Sequence, residues 1–78
     1  MKKSKLIYIE WVDSNVQHGW ADDDGIPPSL AMCQTAGLFD CETAEYISVV
    51  LSRSDLGSHM ERLIIPKGCI RKVRRVEV

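Results

Sequence analysis

The chain has 78 residues, 45% of them hydrophobic and 27% charged, a mixture that excludes general disorder and leaves room for one domain, residues 1–78. No apolar run approaches the ~20 residues of a membrane helix. The run after the basic start, Leu6 to Ile9, falls short of a secretory core of about 7 to 15 residues, so a cytoplasmic domain is expected. The net charge of −1 conceals a polarity: residues 1–12 carry +2, residues 13–45 carry seven acids and no Lys or Arg, and residues 46–78 carry +4.

Lys5 to Val12 is rich in β-branched and aromatic side chains and reads as a strand. Period 2 puts Ile7, Ile9 and Trp11 on the core side and Leu6, Tyr8, Glu10 and Val12 on the other. Asp13-Ser14-Asn15 ends it with turn chemistry. Val16 to Ser29 carries Gly19, Gly25, Pro27, Pro28 and the acidic triplet Asp22-Asp23-Asp24, and is expected to be a long loop with a weak helical turn around Ser29 to Met32.

Met32 to Asp40 is a second predicted strand, bent or bulged at Gly37, and Cys41 to Glu45 a turn. Tyr46 to Ser52 alternates cleanly, placing Ile47, Val49 and Leu51 on one face and Tyr46, Ser48 and Val50 on the other. Arg53 to Met60 is a polar loop around Gly57, and Glu61 to Ile65 a fourth strand stopped by Pro66. Pro66 to Cys69 fits one 3₁₀ turn. Ile70 to Val78 is a fifth strand in which Ile70, Val73 and Val76 recur every three residues, a spacing that needs a bulge or register change early in the strand. The expected architecture is all-β: a small five-stranded SH3-like barrel with a long first loop and a 3₁₀ turn before the last strand. Closure would remove the two edges that an open sheet of this size exposes.

Chemistry finds little purchase. Cys33, Cys41 and Cys69 are odd in number and widely spaced, which argues against a disulfide framework and against a zinc site with His18 or His59; they are expected to be thiols packed as small hydrophobes. With Gly25 at the sixth position of a calcium loop, Trp20 and Ala31 would stand where carboxylates are needed. No nucleophile elbow and no glycine-rich phosphate loop is present, so no enzyme, no cofactor and no metal is expected. A thiol nucleophile at Cys69 or Cys41 is the weakest of the alternatives. Two binding signals remain. In the acidic loop, Trp20 with His18, Asp22, Asp23 and Asp24 is a candidate anchor for a protein partner, since an exposed Trp is a common interface residue; Trp20 folded over the core is the competing reading. On the last strand, Arg71, Lys72, Arg74 and Arg75 form a candidate nucleic-acid or nucleotide surface, against which stand a pI near 6.0 and the use of basic edge strands to deter aggregation. A homodimer through an edge strand is a further option.

Three stretches carry a resemblance: the strand ending Glu10-Trp11-Val12-Asp13-Ser14 with Gly19-Trp20 after it; Thr35-Ala36-Gly37-Leu38-Phe39 with Glu45-Tyr46-Ile47-Ser48-Val49; and Ile65-Pro66-Lys67-Gly68-Cys69-Ile70. Together they make the chain similar to a group of small uncharacterised proteins of bacterial viruses, prophages and bacteria. The resemblance implies no activity; it implies a phage or prophage accessory role, such as binding a host protein. The likeness to SH3 domains is architectural only. The first loop lacks their aromatic-rich motif, so proline-peptide binding is not implied.

Overall fold

The computed structural model describes residues 5–13 and 31–78. Five strands, β1 (Lys5–Asp13), β2 (Ala31–Glu42), β3 (Tyr46–Arg53), β4 (His59–Pro66) and β5 (Ile70–Glu77), form one antiparallel sheet in the order β4-β3-β2-β1-β5. A 3₁₀ turn, Lys67–Cys69, separates β4 from β5. The predicted loop Val16 to Ser29 lies outside the described residues.

Local chemistry makes the turns. Between β2 and β3, Thr43 donates its amide to the Tyr46 carbonyl at 2.9 Å, and its hydroxyl accepts the amides of Glu45 and Tyr46 at 3.1 Å each. Between β3 and β4, Ser54 closes a turn in which Gly57 has φ +89°, a conformation open to glycine at no steric cost. Pro66 stops β4, and the next amide, Lys67, donates to the Glu45 carbonyl at 2.8 Å, tying the 3₁₀ turn to the β2–β3 turn.

The expected barrel is not closed: β4 and β5 are the two edges of an open sheet, and no ladder joins them. Both edges are poorly suited to pairing with one another. Glu61 has φ +56° and interrupts β4 opposite Leu51, Pro66 has no amide to donate, and β5 is crowded with cations.

Ile7, Ile9, Ile47, Val49 and Ile65 are the buried core, with Trp11, Phe39, Ile70 and Val73 packed against it. Burying each aliphatic side chain contributes roughly 1.5–3 kcal/mol. The two alternations read from sequence are therefore present. Leu51, on the face of Ile47 and Val49, is nonetheless 63% exposed, because the core ends at Val49 and the ladder lapses beside Glu61. The centre of β3 is buried on both faces, since Ser48 and Val50 on the side away from the core are 1% and 0% exposed. The thiols depart from expectation: Cys33 and Cys69 are half-buried, Cys41 is exposed, and all three are free.

Gly37 is no bulge. Here β2 approaches β3 too closely for a side chain: a Cβ there would lie 2.6 Å from Val49 Cγ1 and 2.9 Å from the Val50 carbonyl oxygen. Val49 is locked in the core and the carbonyl belongs to backbone, so neither can retreat cheaply. Gly37→Ala is expected to lower stability by about 1–3 kcal/mol, as overpacking does. Urea unfolding followed by tryptophan fluorescence measures this, and an unchanged midpoint would refute the close packing.

Candidate functional site

Two register shifts decide where the charged side chains go. In β5, Ile70 pairs with Trp11 and Lys72 with Glu10, leaving Arg71 as the extra residue of a bulge, as the three-residue spacing of the apolar side chains anticipates. Beyond the bulge, paired residues share a face. Arg75 lies opposite buried Ile7 on the core side, whereas Lys72, Arg74 and Val76 lie opposite Glu10, Tyr8 and Leu6 on the outer side.

The four basic residues therefore have different employment. Arg71 donates Nη1 to the carbonyls of Gly68 at 3.1 Å and Ile70 at 3.4 Å, bracing the 3₁₀ turn. Arg75 sits 5.5 Å above the Phe39 ring and donates Nη2 to Glu42 Oε1 at 2.9 Å, while Lys67 Nζ lies 2.8 Å from Glu42 Oε2. The Lys67 ammonium, then the Arg75 guanidinium, hold the Glu42 carboxyl below its ordinary range.

The side chains of Lys72 and Arg74 make no ion pair or hydrogen bond among the described residues. The nearest acid across the ladder, Glu10, is already engaged: the Tyr8 hydroxyl donates to Glu10 Oε2 at 2.5 Å and accepts from Gln34 Nε2 at 2.9 Å. Donation to Glu10, with some burial, raises the Tyr8 phenol above its ordinary value, against a smaller opposing effect from Gln34. The two cations border an open groove of 660 Å³ lined also by Leu6, Tyr8, Glu10, Ala36, Gly37 and Val76. Its floor is largely apolar, and its charged lining is Lys72, Arg74 and Glu10.

A second cluster lies at the other shift, where Asp40 is the extra residue between Phe39, opposite Val49, and Cys41, opposite Ser48. The buried Ser48 hydroxyl donates to Asp40 Oδ2 at 2.6 Å, and Arg62 Nε stands 3.0 Å from the same oxygen. The Ser48 hydroxyl first, then Arg62, His59 and Arg53, hold the Asp40 carboxyl below its ordinary range. With the Ser48 proton committed to Asp40, the 3.2 Å contact between Cys41 Sγ and Ser48 Oγ has the thiol as donor. Arg62 Nη2 meets His59 Nε2 at 2.5 Å; a guanidinium only donates, so this imidazole nitrogen accepts. His59 thus serves Arg62 and makes no contact with Cys41. The arrangement is a satisfied polar network rather than a base poised beside a nucleophile.

Of the residues singled out in the sequence, the structure brings Lys72 and Arg74 together on the groove and separates Arg71 and Arg75 from them. His18, Trp20, Asp22, Asp23 and Asp24 lie outside the described residues. The groove's other half, Tyr8, Glu10 and Leu6, had been assigned only to an outer face; the matching alternation of the first and last strands was the signal available. The Asp40–Ser48–Arg62 network had no signal, because it depends on the bulge. Among the described residues no group of three or more His, Cys, Asp or Glu could hold a metal ion, and no helix is long and apolar enough to cross a membrane.

The fold and groove define a small all-β sheet protein. Comparison with family models, curated proteins and solved structures finds no match.

Two carboxyls held below their ordinary range, Asp40 and Glu42, contribute to acid stability. Their contribution is complete above the unfolded carboxylate range, about pH 4, and is lost as pH falls through the lower folded values. Urea midpoints measured against pH are expected to show this acid limb, flattened in the variant combining Asp40→Asn with Glu42→Gln. Ser48→Ala leaves Asp40 without its closest donor and is expected to lose about 1–2 kcal/mol at neutral pH. An acid limb unchanged in the double variant would contradict both assignments.

Proposed function

We propose that the chain is a non-catalytic interaction module whose outer groove binds a protein partner. The observation that carries the reading is the pair Lys72 and Arg74, whose side chains have no ion-pair partner among the described residues, beside a largely apolar floor. Two cations left without partners beside exposed apolar surface match a ligand that brings both carboxylates and apolar side chains. The sequence likeness to small phage and prophage proteins is the support for an accessory role in which the partner is a host protein.

Nucleic-acid binding is the second reading, favoured by the same two cations beside the Tyr8 ring. It has less support than the run of four basic residues suggests, since Arg71 and Arg75 are engaged within the chain. An SH3-like relationship rests on the first strand lying between the second and the last, and on the 3₁₀ turn before the last strand.

Native mass spectrometry of the protein purified gently from a bacterial lysate tests the reading. The expected result is a stoichiometric polypeptide partner that is lost from the variant combining Lys72→Glu with Arg74→Glu. Retention of the partner by that variant, or an oligonucleotide as the bound species, would overturn it.

A further inference from the structure

Resting on the reading of the outer groove as part of a protein-binding site, we propose that the partner also contributes an extended acidic segment that adds as a strand to the free edge of β5, beside the groove. The sheet order ends at β5, so one row of its amides and carbonyls is unpaired by any strand among the described residues. The side chains on either side of that edge specify what can pair with it. On the outer face, Lys72, Arg74 and Val76 follow one another at every second position, all exposed. Residues two apart on a strand are separated by roughly 7 Å. An added strand has the same repeat, so carboxylates at its positions i and i+2 would face Lys72 and Arg74. Its alternate side chains would lie beside Val73, which is half-buried against the core.

Two features favour this occupant over a nucleic acid. The apolar end of the row, Val76 with Leu6 across from it, offers a phosphate backbone nothing. The remaining cations on the strand, Arg71 and Arg75, are turned to Gly68 and Glu42 and cannot continue a phosphate track. Backbone pairing would supply affinity and the alternating charges would supply register and specificity, as in other strand-addition sites.

The test uses a synthetic octapeptide alternating valine with glutamate, labelled for fluorescence anisotropy. Three comparisons accompany it: the same peptide N-methylated at alternate amides, a peptide of the same composition with its glutamates consecutive, and a single-stranded oligothymidylate. The alternating peptide is expected to bind the native chain, and to lose roughly tenfold or more in affinity with the double variant Lys72→Glu, Arg74→Glu. The N-methylated and consecutive peptides are expected to bind at least as much more weakly. Far-ultraviolet circular dichroism checks that the variant is folded. Equal binding of the N-methylated peptide would overturn strand addition while leaving the cationic groove as a protein site. Binding of the oligothymidylate alone would overturn both readings in favour of nucleic acid. Absence of binding by every probe would overturn the strand-addition proposal, the partner capture described above then deciding the groove separately.

Discussion

Between Phe39 and Cys41 the ladder of β2 with β3 takes in one extra residue, Asp40, and from that point the two faces of β2 exchange places. Without it, Cys41 would follow Phe39 onto the core side. With it, Cys41 lies opposite Ser48 on the outer side, and Glu42 shares the core side with Ile47. Each of the two ion-pair groups depends on this. Glu42 reaches Lys67 and Arg75 and joins the 3₁₀ turn to β5, while Asp40 meets Ser48 and Arg62 and joins β2 to β3 and β4. A bulge here is a joint between the ends of the sheet, in a chain too short to hold them together by core burial alone.

The consequence for binding is felt on the far side of the sheet. Because Glu42 engages Arg75, and Arg71 is spent on the carbonyls of its own bulge, a run of four basic residues is reduced to two that are free. Glu10, directly across the ladder from Lys72, accepts the Tyr8 hydroxyl and forms no ion pair with either of those two cations among the described residues. No buried side-chain oxygen or nitrogen is left without a partner among the described residues. The unpaired charge is therefore confined to the exposed rim, where it costs little to maintain and is open to a ligand.

Much of the sheet was legible in the sequence. Alternation in Lys5 to Val12 and Tyr46 to Ser52 located the core at Ile7, Ile9, Ile47 and Val49, and the broken spacing of Ile70, Val73 and Val76 pointed to a bulge. Closure was not legible, because whether two edges meet depends on backbone such as Glu61 at positive φ, which a polar loop-like sequence conceals. Period 2 put Leu51 on the face of Ile47 and Val49 but says nothing about where the core ends, and Leu51 lies beyond it, 63% exposed. The groove was half legible: composition flagged the basic strand, but only pairing with β1 separates Lys72 and Arg74 from their neighbours. The Asp40 network was hidden entirely, since Asp40 and Cys41 resemble any polar strand end until one residue is counted out of the ladder. Trp20 and the acidic triplet, prominent in the sequence, lie outside the described residues.

The central claim is the division of labour among the basic residues of β5, and the arginine side chains report it directly. Solvent exchange of the guanidinium protons, measured by nitrogen-15 NMR on the free protein, should be slowed for Arg75, held by Glu42 and the Phe39 ring, and for Arg71, held by two carbonyls. Arg74 should exchange at the rate of an unhindered arginine. Protection of Arg74, or solvent-rate exchange at both Arg71 and Arg75, would contradict the account.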